Sequence, residues 1–168
     1  KSGSIVKEEK TDAYPLQIFA SEKLNGAFVR HYDANSIFAV DGGTLAIERI
    51  PAVVNVVEMF FSRPQGIIID EEKNLIYVTN LGNDTVTVID GATQKPIRKI
   101  KVGLAPHNIF LDKKTKKLYV ISPPDGSIAI VDTQNPDYPT KTRKIDGQAR
   151  GGVINSRTDR FYVSNVTP

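Results

Sequence analysis

The chain contains no cysteine and no tryptophan, one methionine and two histidines. Without a thiol there is no disulfide, no cysteine nucleophile and no zinc site of the cysteine type. Two histidines leave little for a multi-histidine metal centre. No apolar run is long enough for a membrane-spanning helix, because the longest, over 50–61, is interrupted by Asn55 and Glu58. Neither sign of charge dominates: 22 Lys and Arg stand against 19 Asp and Glu, a net charge of +3. That balance permits contact with an anionic surface without requiring it. Also missing are a helical stripe, a glycine-rich phosphate loop, a serine in a nucleophile elbow and an apolar leader segment at Lys1. At 168 residues, 40% hydrophobic and 24% charged, the composition is that of an ordinary folded domain with a real core.

What the chain has is an internal repeat. Ile76-Tyr77-Val78-Thr79-Asn80 returns as Leu118-Tyr119-Val120-Ile121-Ser122 and as Phe161-Tyr162-Val163-Ser164-Asn165. A worn copy is read at Ile37-Phe38-Ala39-Val40-Asp41, which puts the aromatic positions at 38, 77, 119 and 162. Before each copy lies a short apolar strand and a polar turn, as in Gly66–Asp70 followed by Glu71-Glu72-Lys73-Asn74. After each copy come a turn and an alternating strand, such as Thr85–Asp90 or Ser127–Asp132, and then a lysine-rich fourth strand. β-Branched and aromatic residues fill the runs, while Gly, Asn, Asp and Pro separate them. Four short strands per repeat of about 40–45 residues predict an all-β fold, a β-propeller of four-stranded antiparallel blades with about four blade equivalents. The predicted blades are 26–65, 66–106 and 107–150, with a fourth assembled from 1–25 and 151–168.

Tyr77-Val78-Thr79-Asn80, with Val88-Ile89-Asp90 and the turn Gly91-Ala92-Thr93, resembles the signature of YVTN-family β-propellers. The resemblance is strongest over 66–168. It implies a binding or scaffold architecture, an extracytoplasmic location and no particular reaction. Members of that family commonly have more blades than this chain supplies.

The half-blade that one end lacks is present at the other: Gly3-Ser4-Ile5-Val6 parallels Gly126-Ser127-Ile128-Ala129. The expectation is a ring closed by half-blades from both termini, with Ser4–Lys7 pairing antiparallel to Arg160–Ser164. One chain closing on itself, two chains exchanging half-blades, and a piece of a longer propeller all satisfy this pattern. The monomer is preferred over the swapped homodimer.

The innermost strand of each propeller blade lines the central channel, and the loops entering it crowd one mouth. The residues just before those strands are read as Gly26, Gln65, His107 and Arg150, with Asn108 beside them. Gln65, His107, Asn108 and Arg150 are therefore the candidate ligand-binding set, with Arg150 as a bidentate donor to an anionic or polar ligand. The same residues can equally hydrogen-bond loop carbonyls around a filled channel. No catalytic residue, metal site or cofactor is assigned. Asp70, Asp90, Asp112 and Asp132 each end a strand, where a carboxylate caps its own turn. His31, on the turn after the first inner strand, is expected to be exposed. The run Val53–Phe61 is apolar where its counterparts are lysine-rich, so Val54, Val56, Met59, Phe60 and Phe61 form a candidate partner interface. The expected partners are a protein or a small polar ligand rather than nucleic acid, because the basic groups sit on solvated outer strands and turns. The alternative is an enzyme of quinoprotein-like or lactonase-like type acting at the mouth.

Overall fold

The structure, a computed structural model, describes residues 8, 14–31, 36–52 and 63–166. Among them are fourteen strands and a single 3₁₀ turn, Pro123–Asp125. The first sheet runs β1 (Pro15–Ser21), β2 (Gly26–His31), β3 (Ser36–Asp41), β4 (Ile47–Pro51), each antiparallel to the next. The second repeats the order with β5 (Pro64–Asp70), β6 (Leu75–Asn80), β7 (Thr85–Asp90) and β8 (Pro96–Lys101). The third does so with β9 (Ile109–Asp112), β10 (Lys117–Ser122), β11 (Ser127–Asp132) and β12 (Thr140–Lys144). The fourth pairs β13 (Gln148–Asn155) with β14 (Arg160–Val166).

The turns explain why each run folds back. Asp90 Oδ1 accepts the backbone N–H groups of Ala92 and Thr93 and the Thr93 hydroxyl, and Asp41 does the same for Gly43 and Thr44. Between the first two strands of successive sheets the chain closes on Asn25, Asn74, Lys116 and Asp159, all at positive φ. Asp70, Asp112 and Asn155 open three of those turns by accepting N–H groups two and three residues on.

Among the described residues, three hydrophobic cores lie between the four sheets. Phe28, Ile37 and Ile50 of the first sheet meet Ile67, Ile76, Val78 and Ile89 of the second. Tyr77, Val86 and Val88 of the second meet Leu118, Val120 and Val131 of the third. Ile121 and Ile128 of the third meet Ala149, Phe161 and Val163. Adjacent residues of β6 thus point into different cores, which is why its sequence is apolar without alternation. Burial pushes the Tyr77 hydroxyl far above its ordinary pKa, with Tyr138 adding to the shift, so the ring serves as a neutral packing group. The fourth strands differ: β8 and β12 are mostly exposed and carry the lysines that discourage edge pairing.

The phase of the first repeat needs correction. Gly26–His31 is the second strand of its sheet, not the first, and the counterpart of Tyr77 is Phe28 rather than Phe38. The first sheet begins at Pro15 and ends at Pro51, one strand earlier than the predicted blade 26–65. The physical reason is the turn: Asp41-Gly42-Gly43-Thr44 uses the same carboxylate cap as Asp90-Gly91-Ala92-Thr93, which fixes β3 as the equivalent of β7. His31 is likewise corrected from exposed to fully buried, its ring edge-on to Phe38 at 4.7 Å. The closing strand expected from Ser4–Lys7 lies outside the described residues. So do the interface residues Val54, Val56, Met59, Phe60 and Phe61.

Candidate functional site

At one end of the sheets the first strands carry an irregularity. Pro15, Pro64 and Ala149 pair with His31, Asn80 and Asn165, and the register then slips before pairing resumes. In the third sheet the equivalent place is held by two backbone bonds, His107 N–H to Ile121 O at 2.8 Å and Ile121 N–H to Asn108 O at 2.9 Å. Gln65, His107 and Arg150 occupy this same position in successive sheets, and Leu16 occupies it in the first. Gly26 does not belong to the set, because it pairs with Ser21 at the opposite end of β1.

One residue further along, Gln17, Gly66, Asn108 and Gly151 line an open cleft of about 410 Å³ together with Phe19 and Phe110. All come from the first strands of their sheets except Asn108, which directly precedes β9. The wall is built close: a Cβ at Gly66 would stand 2.5 Å from the His107 carbonyl oxygen. Gly66 thus permits neighbouring inner strands to approach.

Each sheet is stitched to the next at this level. Arg30 Nη1 donates to Pro64 O at 3.3 Å. Thr79 Oγ1 donates to His107 O at 2.7 Å and accepts the Gly66 N–H at 2.7 Å. Asn108 Nδ2 donates to Arg150 O at 2.6 Å, and Arg150 Nη2 donates to Gln148 Oε1 at 2.7 Å. The side chain of Asn108 is therefore engaged in joining sheets.

His107 is half-buried, and that burial lowers its pKa. The positive charges of Arg150 and Arg30 lower it further, so the imidazole is neutral at pH 7. The carboxylates at this end accept from loop groups, chiefly of the loop that precedes β9. Asp84 Oδ1 accepts the Ala105 N–H at 2.8 Å; Asp125 accepts the Ser127 hydroxyl and the Leu104 N–H. Among the described residues no group of three or more His, Asp or Glu is placed to hold a metal ion.

Arg30 was not legible as a mouth residue while its strand was read as innermost. Correct phasing puts Arg30-His31 where the second sheet has Thr79-Asn80. The Asp-Gly-Gly-Thr turn was the signal that finds it.

The far end of the sheets carries a different chemistry. There the turns are linked across blades, Ser21 Oγ to Glu71 at 3.0 Å, Lys116 to Glu72, and Lys114 to Asp159 at 2.7 Å. The lysines at 114 and 116 are thus committed to carboxylates of neighbouring turns.

Comparison with known proteins agrees with this architecture. The chain matches hydrazine synthase from Kuenenia stuttgartiensis at 20% identity and a TM-score of 0.62, over 97% of this chain and 53% of that one. It matches a candidate 6-phosphogluconolactonase from Bacteroides uniformis at 13% identity and a TM-score of 0.69, over 90% and 49%. The β-propeller domain of Cps50 (Swd1) from Myceliophteria thermophila matches at 12% identity and a TM-score of 0.59, over 72% and 41%. At such identities the likeness speaks for the fold alone. The chain spans about half the length, or less, of these solved chains. No curated protein is significantly similar in sequence. The fold is a β-propeller, and the Arylesterase family model matches residues 47–147, more than half of the sequence. On that match the chain belongs to the Arylesterase family.

Proposed function

We propose that this chain is part of an extracytoplasmic β-propeller of YVTN-like repeats whose channel mouth binds a small polar ligand. Gln65, His107 and Arg150 supply the donors, and Asn108 helps to shape the wall. The observation that carries this reading is positional: Gln65, His107 and Arg150 hold equivalent places in successive inner strands, each directly before a residue, Gly66, Asn108 or Gly151, that lines an open cleft. Loops and strand ends converging on a concave mouth are the usual place for a propeller to hold a ligand.

A second reading has its own support. The Arylesterase match and the likeness to a candidate 6-phosphogluconolactonase favour hydrolysis of an ester or lactone at the same mouth. A neutral His107 is in the protonation state that a general base requires.

One pair of measurements separates them. Amide-resolved NMR of the full chain, titrated with glucose, gluconate and inorganic phosphate, should move the signals of Gln65, His107, Asn108 and Arg150. Hydrolysis of phenyl acetate and of gluconolactone should stay at the buffer rate. If none of the three probes moves those signals, the binding reading fails. Turnover that disappears in His107→Ala would replace it with the hydrolytic one.

A further inference from the structure

Arg30 is the observation that goes further. The residue is buried at 8% exposure, yet no carboxylate pairs with it among the described residues. Nη1 meets the Pro64 carbonyl and Nε meets no partner there. A guanidinium carries five donors, and burying its charge without an opposite charge is costly. The stitch between sheets does not explain the charge. At the equivalent position of the second sheet Thr79 makes the same kind of bond to the next inner strand with a neutral hydroxyl. The third and fourth sheets have Ile121 and Ser164 there.

The register also places Arg30 beside a cleft residue. It pairs with Gln17, and Gln17 lines the cleft at the level of Gly66, Asn108 and Gly151. The Pro64 carbonyl that it grips directly precedes Gln65, the mouth residue of the second sheet. Taken by sheet, the polar residues at this end are Arg30, Gln65, His107 and Arg150, with an arginine in the first sheet and another in the fourth. Asp84 and Asp125, on loops of the second and third sheets, are occupied by loop N–H groups, a hydroxyl and Lys144.

Resting on the reading of the mouth as a binding site, we infer that its ligand is an anion, a small carboxylate or phosphate compound held between Arg30 and Arg150 with His107 as a further donor. Such a ligand would supply the opposite charge that the described residues do not give the buried guanidinium, and both arginines offer paired N–H groups matched to its oxygens. The influence of Arg30 and Arg150 on His107 is consistent with all three sharing one electrostatic environment.

The test uses inorganic phosphate and gluconate against neutral glucose, at matched ionic strength, on the full chain. The Nε–H resonance of Arg30 and the ring signals of His107 should move with the two anions and not with glucose. Arg30→Met should weaken phosphate binding by more than about tenfold, and Arg150→Ala by about fivefold. If Arg30→Met does not fold, the Arg30 Nε–H signal of the wild-type chain decides the matter alone. Should glucose move the mouth amides while phosphate leaves Arg30 unmoved, the mouth is a binding site but the anion assignment is wrong. Should no probe move either set, both readings fall together.

Discussion

Leu75–Asn80 and Arg160–Val166 hold the same place in their sheets and nearly the same residues, Ile-Tyr-Val-Thr-Asn in one and Phe-Tyr-Val-Ser-Asn in the other. In β6 every residue from Ile76 to Asn80 is buried. In β14 only Phe161 and Val163 are partly covered, and Tyr162 stands 48% exposed where Tyr77 is fully enclosed. The difference lies in the neighbours. β6 has a sheet packed on each face, whereas the described residues cover β14 on the face toward the third sheet alone. A strand with the composition for two-sided burial gains it only where two sheets arrive. Phe161 still finds its place, stacked on Tyr119 with ring centroids 4.7 Å apart.

The largest test of this contrast is the tyrosine pair. Tyr77→Ala should cost about 3–5 kcal/mol, since it empties a filled core position. Tyr162→Ala should cost less than about 1 kcal/mol. Urea denaturation of the two variants measures both, and equal losses would mean that the outer face of β14 is covered after all. The asparagines offer a smaller version. Asn80 Nδ2 donates to the hydroxyls of Thr85 and Thr87 inside the sheet, at 3.2 and 2.8 Å. Asn80→Ala should therefore cost about 1–3 kcal/mol, against about 0.5 kcal/mol for Asn165→Ala, whose bond to the Asp146 carbonyl is exposed.

The smallest effect concerns acid. Burial pushes the Asp112 carboxyl up, but the bonds from Thr115 and Lys114 together outweigh it and hold the group below its ordinary value of 3.8. A carboxyl with a depressed folded pKa stabilises above its unfolded pKa and loses that contribution as the pH falls through the folded one. Asn155 caps the equivalent turn of the fourth sheet with an amide and carries no such dependence. Asp112→Asn should therefore narrow the loss of thermal stability between pH 5 and pH 3 by about 1–3 °C. Melting curves of both chains across that interval check it; parallel curves would show that the Asp112 turn is indifferent to charge.

Much of the fold was legible from local rules. Alternation, β-branched residues and capped turns mark nearly all the strands from Pro64 onward, because each strand is specified by its own residues and the turn beside it. The candidate mouth was legible in part. Gln65, His107 and Arg150 could be found by counting back from the repeated motif. Gly26 was misplaced and Arg30 missed, because the first repeat was aligned on an aromatic residue. Phe38 and Phe28 are both plausible markers in isolation; only the Asp41 turn distinguishes them, and its weight comes from hydrogen bonds rather than from hydrophobicity.

By itself the sequence determined the all-β character, the four-strand period and the chemistry of the turns, since backbone preference and side-chain caps act over a few residues. Only the tertiary structure decided which faces are dry and which polar groups meet. Tyr77 and Tyr162 share a motif and differ in burial because burial belongs to the sheets packed around a strand. The positive charges of Arg30 and Arg150, from the first and fourth sheets, both act on His107 because the inner strands stand side by side. That convergence depends on separations of many tens of residues, over which no local rule acts.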